Sequence, residues 1–151
     1  MPHYSATEVA MSDVTVTSLS NLRNEVRYGD DHTLVTDEPL SADGEDAGPD
    51  PYTLLLAALG SCISMTTTLY ARRKNWPLER VIVRLRQERI HAADCVECTR
   101  TSEGYVQRIQ RSVTFEGNLD EEQRARLQEI AHKCPVHKTL TSEIAITELK
   151  E

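Results

Sequence analysis

Four cysteines and the residues around them carry most of the chemistry that this chain could perform. Cys134 stands in His132-Lys133-Cys134-Pro135-Val136-His137-Lys138, with two lysines and two histidines about it. Cys-Pro reads as the cap and first position of a short helix over 136–141. A thiol at a helix N-terminus among cations has its thiolate favoured by dipole and charge. A plain basic helix end would show the same residues, so both readings stand at this point. Cys62 falls in the third turn of a long apolar helix, on the side of Leu55, Leu59 and Leu69. Alone it would read as a small core hydrophobe. A second thiol on another core-facing helix favours a working pair.

The other two cysteines form Asp94-Cys95-Val96-Glu97-Cys98. Cys-x-x-Cys can be a redox dithiol, although such a pair ordinarily opens a helix after a strand and this one falls in a loop. It can also be half of a zinc site. Cys134-x-x-His137 has the spacing of the other half, and His91 is near in sequence. Against zinc, the stretch between the halves is longer than in compact zinc modules. Two incidental thiols in a hairpin loop are the plain alternative. The chain has no Gly-rich phosphate loop, Gly-x-Ser-x-Gly elbow or His-Glu-x-x-His.

Length and charge narrow the setting. With 151 residues the chain suits one domain with its own core. Net charge is −7, unevenly placed: residues 1–71 hold two arginines against eleven acids, and residues 72–138 hold fourteen Lys/Arg against ten acids. An acidic balance argues against a nucleic-acid partner. No apolar run approaches the roughly 20 residues needed to span a bilayer. The N-terminus lacks a charged lead followed by an apolar core, so no secretory signal is expected. The expectation is a cytoplasmic protein, without a membrane partner, whose cysteines are reduced thiols, metal ligands or catalytic groups.

The elements that must position these thiols follow from periodicity. Residues 1–12 are expected to be poorly ordered. Within 13–36, three strands alternate apolar and polar residues: Asp13–Leu19, Leu22–Tyr28 and His32–Thr36, the last two joined by Gly29-Asp30-Asp31. Residues 37–50 form an acidic solvated loop or linker, and 51–151 a helix–sheet core. Asp50 caps and Pro51 opens a helix running to about Lys74. Its first half is apolar on all sides, which predicts burial all round and a homodimer to supply the cover. Arg80–Ile90 and Glu103–Glu116 are half-buried strands joined by a long loop over His91–Ser102. Asp120 with Gln123 makes a capping box for a second helix, with Leu127, Ile130, Ala131 and Cys134 as its apolar stripe. Pro135 ends that helix. Ile144–Leu149 alternates and predicts a closing strand. The class is α+β with a largely antiparallel sheet.

Several of these motifs together resemble one family. Pro51-Tyr-Thr-Leu-Leu-Leu-Ala-Ala-Leu-Gly-Ser-Cys62, Tyr70-Ala-Arg-Arg-Lys-Asn-Trp-Pro-Leu, His91-Ala-Ala-Asp-Cys and Cys134-Pro-Val-His are similar to the osmotically inducible protein C / organic hydroperoxide resistance (OsmC/Ohr) family. The Asp-Cys-x-x-Cys loop resembles one branch of it. The similarity runs from about Asp37 to the C-terminus. It implies antiparallel sheets around two long central helices in an intertwined homodimer. It also implies a thiol peroxidase acting on a hydrophobic hydroperoxide, with Cys62 attacking and Cys134 resolving. No bound cofactor or metal is expected, only an external dithiol reductant. The family also implies an arginine on the N-terminal sheet, for which Arg23 and Arg27 are the candidates, and a glutamate just after the helix-opening proline. Here Tyr52 and Thr53 occupy those positions. The rival readings are a zinc- or ligand-binding protein using Cys95, Cys98, Cys134 and His137, and a dithiol sensor or oxidoreductase with Cys95 and Cys98 as a secondary thiol loop.

Overall fold

A computed structural model describes residues 13–150. The expectation for residues 1–12 lies outside them. The contacts divide the chain into two compact units, Met1–Leu54 and Leu55–Glu151.

In the first unit, β1 (Val14–Ser18), β2 (Asn24–Tyr28) and β3 (His32–Thr36) form an antiparallel sheet in that order. Val16 pairs with Val26, and Val26 with Leu34, so the alternation read from sequence puts the valines and the leucine in one row. Gly29 turns β2 into β3 at a φ of 59°, a conformation that glycine adopts without steric cost. Val14 and Val16 remain more than half exposed.

The acidic stretch after β3 is built more tightly than a solvated loop. Asp37 is 2% exposed. Its carboxylate accepts N–H bonds from Glu38 (2.8 Å), Glu45 (3.1 Å) and Ala47 (3.1 Å). Burial alone would raise this carboxyl, but the three N–H donors and the Arg23 charge outweigh it and hold the pKa below the ordinary value. One aspartate thus folds the stretch around itself, which composition cannot show.

α1 (Pro51–Arg73) starts as read: Asp50 Oδ1 accepts from the N–H of Tyr52 at 2.9 Å and of Thr53 at 3.0 Å. It ends with Asn75 in the left-handed region and the Trp76 N–H bonded back to the Ala71 carbonyl at 2.9 Å, a Schellman-type stop. One expectation needs correction. By length and composition α1 would suffice to cross a bilayer, because Ser and Thr interrupt the run without adding charge. One chain alone does not cover the helix: Leu59, Gly60, Ile63, Thr67 and Ala71 are buried, while Tyr52 is 61% and Leu55 36% exposed in the first half and Met65 65% in the second. Within the second unit one sheet face packs on it.

That face belongs to β4 (Leu78–His91) and β5 (Tyr105–Gly117), paired antiparallel down to His91 opposite Tyr105. Gly60 permits the close approach, since a Cβ there would sit 2.8 Å from Leu85 Cδ1. α2 (Glu121–Ala131) has the expected box, Gln123 N–H to Asp120 Oδ1 at 2.7 Å and Asp120 N–H to Gln123 Oε1 at 3.0 Å. Leu127 is fully buried with Ala71, Phe115 and Leu119. α3 (Pro135–Leu140) follows. The segment 144–149 is not a strand. No described strand offers it a ladder, and Ile144, Ile146 and Leu149 stay exposed.

Candidate functional site

Cys62 and Cys134 come together in the second unit. α1 delivers Cys62, half-buried, one residue before the fully buried Ile63. Cys134 is not on the α2 stripe, because α2 stops at Ala131. It is instead the N-cap of α3, with Pro135 in the first turn, and it is 0% exposed among Leu59, Ile63 and Ala131. The two sulfurs are met by consecutive N–H groups in the first turn of α3. His137 N–H donates to Cys134 Sγ at 3.2 Å, and Val136 N–H lies 3.5 Å from Cys62 Sγ. Cys62 packs against the buried cluster that holds Cys134. Val83, Leu85, Ile109, Val113 and Leu140 complete an aliphatic surround.

The electrostatics of this pair are mixed. Burial pushes the Cys134 thiol up, and neighbouring Cys62 adds to that; the His137 N–H and the Arg111 charge pull it down, and the net direction is upward. At neutral pH Cys134 is therefore a thiol. His137 is pushed below its ordinary 6.5 by burial, then by the charges of Arg111 and His132, so it is neutral at pH 7.

Arg111 escaped the sequence reading. Its Nη1 donates to the Ala131 carbonyl at 2.9 Å, and its Nη2 donates to His132 Nδ1, since a guanidinium has no acceptor. It caps the end of α2 while placing a cation beside Cys134. The signal was present: Arg111 falls in the same alternation as Ile109, Val113 and Phe115, a charge at an inward strand position.

The N-terminal arginines sit in the first unit. Arg23 is held by Glu45, with Nε at 3.0 Å and Nη2 at 3.0 Å from one carboxylate oxygen. Arg27, more exposed, pairs with Glu25 on its own strand. Neither Tyr52 nor Thr53 can orient an arginine as a carboxylate would, but Glu45 does so for Arg23.

Cys95 and Cys98 are disulfide-bonded to each other, not reduced thiols as expected. Their spacing lets the sulfurs meet in a loop of four residues. A sulfur in that bond is no thiolate ligand, so the zinc grouping with Cys134 and His137 is not assembled. Among the described residues no group of three or more His, Cys, Asp or Glu is set to hold a metal. His91 instead packs its ring on Tyr105 at 4.3 Å.

Comparison with known proteins bears on the whole arrangement. A family model described as OsmC-like protein matches residues 44–148. None of the curated proteins compared matches the chain. Among solved structures, an OsmC-like protein from Mycoplasma pneumoniae is 19% identical, with 86% of each chain covered and a TM-score of 0.66. An organic hydroperoxide resistance protein OsmC from Legionella pneumophila is 17% identical, covering 89% of this chain and 91% of its own, at 0.63. The organic hydroperoxide resistance protein OhrB of Bacillus subtilis is 17% identical, covering 87% and 90%, at 0.58. At these identities the likeness is one of fold.

Proposed function

The chain belongs to the OsmC-like protein family, and from that premise we propose that it reduces organic hydroperoxides through a two-cysteine cycle. One observation carries the reading: a half-buried Cys62 and a fully buried Cys134 share one aliphatic cluster, their sulfurs facing the consecutive N–H groups of Val136 and His137. The accessible thiol is the one to meet substrate, and the buried one is placed to condense with it.

In the first step the Cys62 thiolate attacks the O–O bond. It becomes a sulfenic acid, and the alkoxide leaves as an alcohol after taking a proton. In the second, the Cys134 thiol displaces water from that sulfenic acid and the Cys62–Cys134 disulfide forms. An external dithiol restores both thiols by exchange. The aliphatic surround favours a bulky organic hydroperoxide over hydrogen peroxide.

A buried thiol without a cation is inert. We assign Arg23, oriented by Glu45, to Cys62, with Glu45 replacing the glutamate missing at Tyr52 and Thr53. Arg111 serves Cys134. The assembly we propose is an intertwined homodimer with the long helices central. Support comes from apolar surface left open on each unit: Met65 and Leu69 on α1, Val14 and Val16 on β1.

The test is Cys134→Ser. With cumene hydroperoxide it should complete one oxidation and stop at a Cys62 sulfenic acid that dimedone traps. Absence of any Cys62 adduct under conditions that consume hydroperoxide would refute the assignment of roles.

A further inference from the structure

We infer that the Cys95–Cys98 pair is a second redox couple, which takes electrons from an external protein dithiol and passes them to the Cys62–Cys134 disulfide. The inference rests on the peroxidase reading for its acceptor.

The bond is not needed to hold the hairpin. β4 and β5 pair down to His91 and Tyr105 without it, and the Ala92 N–H bonds the Gly104 carbonyl at 2.8 Å. The Arg89 guanidinium lies over the Tyr105 ring at 4.3 Å from its centre, and the His91 ring packs on the same tyrosine. The disulfide joins positions only three apart, inside a tip that is already closed. It is also open to a partner. Val96 between the cysteines is 93% exposed, Glu97 is exposed, and neither cysteine belongs to a core cluster. An incoming thiolate can reach this bond, whereas Cys134 is sealed.

The loop is tied to the element that carries the resolving cysteine. Arg100 Nη2 donates to the Thr141 carbonyl at 3.3 Å, and Thr141 caps the end of α3 opposite Cys134. A helix of six residues is about 9 Å long. A downhill relay needs the loop pair to be the more stable of the two disulfides. Charge agrees with that direction. Asp94 and Glu97 flank the loop sulfurs and disfavour thiolates there, which stabilises the disulfide over the dithiol.

In the relay, a thiolate of the reduced loop attacks Cys62 Sγ, the accessible sulfur of the core disulfide. A mixed disulfide forms and the Cys134 thiolate leaves, received by the His137 N–H and Arg111. The second loop thiol then attacks its neighbour's sulfur in the mixed disulfide and releases Cys62. Two electrons and two protons pass from the loop pair to the core pair. A protein dithiol afterwards reduces Cys95–Cys98 by the same two exchanges, becoming a disulfide itself.

The test needs no external reductant. Fully reduced full-length protein receives one equivalent of cumene hydroperoxide per chain, is quenched with an alkylating agent, and its disulfides are mapped by peptide mass. The bond is expected at Cys95–Cys98, with Cys62 and Cys134 alkylated. Wild type should consume two equivalents in all, and the Cys95→Ser/Cys98→Ser variant one. Cys62→Ser should keep all loop thiols over the same time, which separates relay from direct oxidation. A lasting Cys62–Cys134 bond beside free Cys95 and Cys98 would overturn the relay and leave the peroxidase standing. No consumption of the first equivalent would overturn both.

Discussion

Replacing Arg111 with methionine removes two things at once, and they can be read separately. The first is the charge-assisted bond to the Ala131 carbonyl, 2.9 Å long and set against a residue with no exposure. Such bonds contribute about 1.5–3 kcal/mol. In a domain of this size that corresponds to a melting temperature lower by roughly 3–12 °C. The second is the positive charge beside Cys134, which lowers that thiol against the opposing pull of burial. Its loss moves the titration of Cys134 to higher pH. The background for the assay is Cys62→Ser with the loop disulfide intact, where Cys134 is the one free thiol left of the four cysteines. Ultraviolet thiolate absorbance followed against pH gives the midpoint. Arg111→Lys should recover part of the midpoint, because charge returns, and less of the stability, because one ammonium cannot bond Ala131 and His132 in the same fork. If Arg111→Met melts earlier but titrates at the same midpoint, Arg111 is a helix cap and nothing more.

Arg23→Met should slow the first oxidation of Cys62 about tenfold to a hundredfold, the loss of one charge-assisted contact, while Arg27→Met changes it little; stopped-flow consumption of hydroperoxide compares them. Light scattering at micromolar concentration should give twice the 17.0 kDa chain mass, and a single-chain mass would contradict the dimer. Stability should fall at both ends of the pH range, as urea midpoints can record. Below its ordinary 6.5, His137 takes a proton more readily unfolded than folded, so stability is lost as pH drops from there toward the lowered folded value. Above 9.0 the unfolded Cys134 ionises first, so stability is lost as pH rises toward the raised folded value. His137→Asn should remove the acid-side loss, and Cys62→Ser should shrink the alkaline one, because the folded value of Cys134 comes down toward the unfolded one.

Where local rules act alone, the sequence was legible. Asp50-Pro51, Asn75-Trp76-Pro77 and the Asp120–Gln123 box set helix ends through bonds to residues close by in the chain. The strands β1 to β5 were legible from their alternation, although β1 is exposed along its whole length and is held by its ladder to β2. What depends on distant partners was not legible. Cys134 had two readings: the cap of a short helix holds, while membership of the α2 stripe fails because that helix stops three residues short. The Ile144–Leu149 alternation has the period of a strand and finds no ladder among the described strands. Asp37 read as one acid of many, since only the fold brings Glu45 and Ala47 back onto it. The Cys62–Cys134 pairing was suggested by two thiols on core-facing helices and took its roles from family resemblance; 72 positions separate the residues and no local rule joins them.

The central claim is that Cys62 attacks peroxide oxygen, and the most direct measurement is consumption of cumene hydroperoxide by wild type and by Cys62→Ser with the same dithiol reductant in excess. The account predicts sustained turnover in wild type, none above the protein-free rate in Cys62→Ser, and slower consumption of hydrogen peroxide than of the organic substrate. Equal rates in wild type and Cys62→Ser, with the variant folded by circular dichroism, would contradict it.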